Sequence, residues 1–233
     1  MSLCLLKHRS VLKLTGEDTL KLIQGLITQN ITLLEKQPLL YSLLLSPQGK
    51  FQYDMFMWQT DSALYIDTDR PDDLYTHLNR FKLRSNVQIE KTCMNVYASL
   101  ASMTNQLEGA LFKDPRHNDM GFRFYSYVTL ETSIALEEYD HHRISLTIPD
   151  GARDMTVDKS IPLEWNMDRL NAISWDKGCY IGQELTSRTK HLGLIKKRVQ
   201  TLSEKDLPQD PLDKTVRPIK SYGNQCLCFV RFE

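Results

Sequence analysis

The residues best suited to chemistry are gathered in Asp176-Lys177-Gly178-Cys179-Tyr180-Ile181-Gly182-Gln183-Glu184, where a thiol stands between two glycines with a cation two positions before it. The thiolate, not the thiol, is the nucleophile and the metal ligand. From Gln183 to Lys190 the sequence favours a helix, with Glu184 and Arg188 four apart and Gly193 able to end it. Cys179 then stands just before a helix amino terminus. There the helix dipole and the Lys177 ammonium both favour ionised sulfur. The segment predicts Cys179 as a metal ligand or nucleophile and Lys177 as the group that tunes it. The ordinary alternative is a small buried cysteine in a tight turn.

Other candidates carry less. Cys226-Leu227-Cys228 sets two thiols on one face of a strand, but the spacing is not that of a zinc site and no second pair exists, so two half-buried strand cysteines are expected. His141-His142 falls in a predicted helix beside Glu137 and Glu138 and reads as a solvated polar face. From Asp176 to Arg198 six Lys and Arg oppose two acids, and Lys190, Lys196, Lys197 and Arg198 form either an anion site, a docking surface for an acidic partner, or plain surface charge. Nucleic acid is not an expected partner, because 29 Lys and Arg balance 29 Asp and Glu and no aromatics interleave with the basic run.

The elements that must hold these residues follow from pattern. In 233 residues, 41% hydrophobic and 25% charged, one large domain or two small ones can fold without disulfides or a structural metal. Five scattered cysteines suit a reducing compartment. Apolar stretches such as Leu39 to Leu45 fall far short of the ~20 residues that span a bilayer. The apolar Leu3 to Leu6 precedes Lys7, His8 and Arg9, the reverse of a secretory signal, so export is not expected.

After a short apolar run from Val11 to Leu14, Thr15 can cap a helix in which Leu20, Ile23, Leu26 and Ile27 recur. Tyr41 to Leu45, the turn Ser46-Pro47-Gln48-Gly49, and the alternation of Phe51, Tyr53, Met55 and Met57 with Gln52 and Asp54 make a hairpin. Ala63 to Asp67, Val87 to Ile89, Met94 to Leu100 and Gly121 to Thr129 read as strands. A helix starts at Pro71 and another spans Ile134 to Ile148. Asn105 to Asp119 reads as irregular, with Asp114-Pro115-Arg116 a turn, and Asp154 to Trp175 has little periodicity. Beyond Val199 the prolines 208, 211 and 218 and one alternating strand, Gln225 to Phe232, suggest a small separate β unit. Without βαβ repeats, the class is α+β with mostly antiparallel pairing.

The run KGCYIGQE, Lys177 to Glu184, resembles the signature of the YgfZ family of T-protein-like (GcvT-like) folate-binding proteins. Its mitochondrial members assist maturation of 4Fe-4S proteins. The continuation LTSRTKHLGLIKKRV, Leu185 to Val199, is most similar to the mitochondrial and alphaproteobacterial iron-sulfur assembly branch. Leu14 to Asp18, Gln48-Gly49-Lys50 ahead of Asp54, Asp114-Pro115-Arg116 with Gly121, Ile148 to Gly151, and Pro162 to Asn166 occur in the family's order.

The resemblance implies intertwined α+β domains of the T-protein type around a central tetrahydrofolate cavity over residues 1–199. A shortened carboxyl-terminal β-barrel would fill 200–233. It implies a folate set of Glu164 on the pterin with Asp54, Tyr180, Gln183 and Arg188, where a carboxylate accepts paired N–H donors from the ring amidine. Where T-protein-like enzymes carry two aspartates after a Gly-Gly turn, the chain has Tyr53-Asp54 after Gly49-Lys50. Aminomethyl transfer is therefore the alternative, and a folate-sensing module without turnover a third reading. The leading expectation is a tetrahydrofolate-binding factor in which Cys179 ligates a 2Fe-2S or 4Fe-4S cluster shared with an A-type iron-sulfur carrier protein, serving apo iron-sulfur proteins. The expected compartment is a bacterial cytoplasm or a mitochondrial matrix.

Overall fold

A computed structural model describes residues 2–101, 107–210 and 214–232. In chain order the elements are β1 (Leu3–Leu5), β2 (Ser10–Thr15), α1 (Thr19–Leu26), β3 (Leu40–Leu45), β4 (Phe51–Gln59), β5 (Leu64–Thr68), α2 (Pro71–Lys82), β6 (Gln88–Lys91) and β7 (Asn95–Ser99). Then come β8 (Ala110–Lys113), β9 (Phe122–Ser126), α3 (Leu136–Ser145), α4 (Gly151–Asp154), α5 (Gln183–His191), β10 (Lys197–Ser203), β11 (Val216–Tyr222) and β12 (Gln225–Arg231). The strands form three sheets, ordered β3-β4-β5-β2-β6, β1-β7-β9-β8 and β10-β12-β11, and every pairing is antiparallel.

The chain lays down one strand of the four-stranded sheet, builds the whole five-stranded sheet, and returns for β7 to β9. This interleaving explains why no linker divides the first part of the sequence. The predicted hairpin is β3 and β4, whose turn closes with Ser46 N–H donating to the Lys50 carbonyl at 2.8 Å. Pro71 opens α2 as expected, because its fixed φ suits the first helical turn. Thr15 ends β2 rather than capping α1, which follows Asp18.

Four strands escaped the pattern, β10 and β11 beside the one strand expected in the tail, and two earlier ones. β1 has three residues, too few to show alternation, and β8 lies inside the stretch expected to be irregular. The alternation in β4 predicts one polar face, but both faces are covered. Tyr53, Met55 and Met57 pack with Leu12, Ile23, Leu64, Leu74 and Leu78 on one side. Phe56 and Trp58 pack with Tyr41, Val96 and Tyr125 on the other. Trp58 stacks on Tyr125 with ring centroids 4.1 Å apart, joining the two larger sheets. Each such buried aromatic contributes roughly 1.5–3 kcal/mol.

Where a shortened carboxyl-terminal β-barrel is expected, the described residues form an open three-stranded sheet. The sheet joins the main core, since Val199, Leu227 and Phe229 pack in one cluster with Leu163 and Trp165, and β10 begins at Lys197. Between the two larger sheets lie packed side chains and ion pairs.

Candidate functional site: the Cys179 loop

Cys179 is exposed on a loop that is anchored on both sides. Before it, Ser174 N–H donates to the Thr28 carbonyl at 3.0 Å, and Thr28 Oγ1 donates to the Ala172 carbonyl at 2.6 Å. Lys177 is buried, and its Nζ donates to the carbonyls of Gln24 (2.6 Å), Ile27 (2.6 Å) and Gln29 (3.1 Å). These acceptors lie in and just beyond the end of α1, where unpaired carbonyls carry partial negative charge. An ammonium has three donors, so three carbonyls use them all. Burial pulls this ammonium down to about 8.

The three donors of Lys177 are thus committed to the end of α1, and the residue anchors the loop that carries Cys179. After the thiol, the Tyr180 ring enters the main core, its hydroxyl is buried without a partner, and burial pushes the phenol up to about 12. Gly182 then meets the hairpin turn. A Cβ there would lie 2.6 Å from the Ser46 carbonyl oxygen and 3.1 Å from Gly49 Cα, and the φ of +83° independently favours glycine. Gln183 starts α5, as the sequence predicts. Exposed Leu185, Leu192 and Leu194 and the cations of α5 surround this end of the molecule, with Lys190 Nζ 3.7 Å from the Trp175 ring centroid.

The expected folate residues lie on different elements. Glu164 sits in the 3-10 turn Pro162–Trp165, half-buried, with Oε2 3.4 Å from Lys197 Nζ. Gln183 is half-buried at the start of α5, and Arg188 is exposed on it. None of the five lines the 320 Å³ cleft beside the motif, which is formed by Gln48 to Lys50, Ile161 to Leu163, Leu185, Thr186 and Thr189. The basic run is also partly committed, since Arg198 grips Asp168 with bonds of 2.8 and 2.9 Å and donates to the Leu163 carbonyl at 2.8 Å.

Asp54 is wholly buried between the two larger sheets. Arg9 Nη1 donates to its Oδ1 at 3.2 Å and to Asp150 Oδ1 at 3.4 Å, and Arg9 Nε donates to Asp67 Oδ1 at 2.6 Å. Tyr41 donates its hydroxyl to Asp54 Oδ2 at 3.3 Å. From β9, Arg123 and Tyr125 donate to Asp67 Oδ2 at 2.7 and 2.9 Å, and beyond them Arg116 pairs with Asp114 at 2.8 Å. Burial alone would raise the Asp150 carboxyl, but the His8 hydrogen bond and the charges of Arg143 and Arg9 hold it well below the usual carboxylate range. Nearby Asp69 lacks such a partner: burial and the Asp54 charge push it up to about 6, and its Oδ1 is buried without a bond. The sequence reading gave no role to Arg9 or Arg123 and noted Arg116 only in the Asp114-Pro115-Arg116 motif; for Arg9 the available signal was an arginine set between the apolar Leu6 and Val11.

The remaining thiols divide clearly. Cys4, Cys226 and Cys228 are buried, the last two completely rather than half-buried, and burial pushes Cys4 up to about 11 and Cys228 to about 12. Cys93 is exposed like Cys179. Among the described residues no group of three or more His, Cys, Asp or Glu could hold a metal, so Cys179 has no ready ligand set around it.

No protein-family model matches the chain. Over 99% of its length it superposes, with a TM-score of 0.63 and 12% identity, on 78% of the crystal structure of glycine cleavage system aminomethyltransferase T from Bartonella henselae. The iron-sulfur cluster assembly factor IBA57 homolog, mitochondrial, of Mycosarcoma maydis is 32% identical over 223 residues, covering 84% of this chain and 55% of that protein. The mitochondrial IBA57 assembly factors of Mus musculus and Homo sapiens are each 30% identical, covering 83% of this chain and 64% of theirs. The chain belongs to the IBA57 group of the YgfZ/T-protein-like family. It spans between about half and two thirds of the length of these IBA57 relatives. The fold it shares with the aminomethyltransferase accounts for the interleaved sheets. In this IBA57-type chain the aspartate at the hairpin is enclosed and the cysteine of the motif is open.

Proposed function

We propose that the chain is an iron-sulfur cluster assembly factor in which Cys179 supplies one thiolate to a cluster held jointly with an A-type iron-sulfur carrier protein. The observation that carries this reading is the exposure of Cys179 on a loop fixed by Lys177, Tyr180 and Gly182. The IBA57 relatives support the cargo, because they are iron-sulfur cluster assembly factors by name. Protein-bound clusters of both the 2Fe-2S and 4Fe-4S kinds take four cysteine-type ligands, so a single thiolate requires the partner to furnish the rest. Apo iron-sulfur proteins would receive the cluster. The mitochondrial address of the relatives supports the matrix as the compartment, and among the described residues no helix is long and apolar enough to cross a membrane.

Tetrahydrofolate enters this reading at Glu164, whose half-buried carboxylate has a single lysine partner at 3.4 Å and could take the paired donors of a pterin. Asp54 does not fit a folate contact in this arrangement, since Arg9 and Tyr41 occupy its oxygens. Aminomethyl transfer therefore has fold likeness but no free carboxylate at that position.

The test is anaerobic mixing of the chain with an A-type carrier and a cluster source, read by cluster absorbance. Cys179→Ser should abolish the shared cluster and Cys93→Ser should leave it. Unchanged absorbance with Cys179→Ser would overturn the proposal. Separately, Glu164→Gln should weaken tetrahydrofolate binding about ten-fold or more, as loss of a charged paired contact requires.

A further inference from the structure

The three-stranded sheet gathers positive charge with little to balance it. Lys197 and Arg231 are direct partners across β10 and β12, and Arg217 is the partner of Phe229 across β11 and β12. Partners across an antiparallel pair share a face, and residues two apart on a strand return to it, so Lys197, Arg217, Phe229 and Arg231 lie on one face. With Lys214 and neighbouring apolar atoms they line a cavity of 460 Å³, within the range of small-molecule sites.

Phe229 forms the floor, 6% exposed, with Lys197 Nζ 4.5 Å and Arg217 Cζ 5.4 Å from its ring centroid. Like charges directly opposed on a sheet are destabilising. Among the described residues Glu164 is the acid that reaches this group, at Lys197, while Arg217 and Arg231 have no carboxylate within ion-pair distance. The neighbouring Arg198, by contrast, is gripped by Asp168 through two bonds, which is how this fold treats an arginine that serves structure. Two guanidinium forks without an ion-pair partner among the described residues, and opposed cations over an apolar floor, are suited to anionic oxygens, which guanidinium binds two at a time.

We propose that this cleft binds a multivalent oxyanion, a small molecule bearing two or more phosphate or carboxylate charges. The site is separate from the Cys179 loop and does not depend on the cluster reading. Its test uses the intact chain titrated calorimetrically with pyrophosphate and, in a second arm, citrate, at low and moderate salt. Saturable binding that weakens with salt is expected, and the arm that binds identifies phosphate or carboxylate as the source. Arg217→Gln and Arg231→Gln should each weaken it by about ten-fold or more. The exposed Lys36→Gln should leave it unchanged. Arg231→Lys, which keeps the charge and loses the fork, should fall between, and far-UV circular dichroism of each variant checks the fold. Absence of saturable binding in both arms, or equal affinity in Arg231→Gln and the parent, would overturn the proposal.

Discussion

At the Cys179 loop the reactive atom is open and its neighbours are fixed, whereas at Asp54 the reactive type of group is itself fixed and closed off. Lys177, Tyr180 and Gly182 hold the loop through the end of α1, the main core and the hairpin turn. Arg9, Tyr41, Asp67 and Arg123 hold the carboxylate layer through direct bonds. The two regions thus differ in which side chains are left with spare bonding capacity. In this chain the thiol has it and the Asp54 carboxylate does not.

The sharpest way to break the comparison is to remove the arginine that closes the second region. Arg9→Leu leaves the buried Asp54 and Asp67 short of their shared counter-charge and should cost about 3–5 kcal/mol, measured by urea unfolding. A loss under about 1 kcal/mol would mean that the layer does not hold the sheets together. At the loop, Lys177→Met should cost about 1–3 kcal/mol, because it orphans buried carbonyls at the end of α1. A loss under about 0.5 kcal/mol would show that these bonds do not anchor the loop.

The smallest effect concerns pH. Asp69 near 6 in the fold, against ~3.9 unfolded, means that between these values the folded chain holds a proton the unfolded chain has released. Stability should fall as pH rises through this window and stay lowered above it, by about 1–2 kcal/mol after screening. Asp69→Asn should flatten that part of the profile in thermal melts, and an unaltered slope would show that Asp69 is not its source.

Local chemistry made the site legible where short-range rules decide it. The turn at Ser46 to Gly49, Pro71 at the start of α2, and α5 after Gly182 follow from residue types within a few positions. The partners of charged residues did not follow. Lys177 stands two positions from Cys179, yet its acceptors lie some 150 residues earlier, at Gln24 and Ile27. Arg9 reaches Asp54, Asp67 and Asp150, contacts that exist only once the interleaved sheets have closed. That the sheet beginning at Lys197 packs into the main core through Val199, Leu227 and Phe229 is likewise a long-range outcome.

The most direct measurement is a thiol footprint. The native chain is alkylated anaerobically alone and again with a cluster-loaded A-type carrier, and each cysteine is quantified by mass spectrometry. Alone, Cys179 and Cys93 should react while Cys4, Cys226 and Cys228 stay protected. With the loaded carrier, Cys179 should become protected and Cys93 should not. Cys179 reacting equally in both, or resisting alkylation in the free chain, would contradict the account.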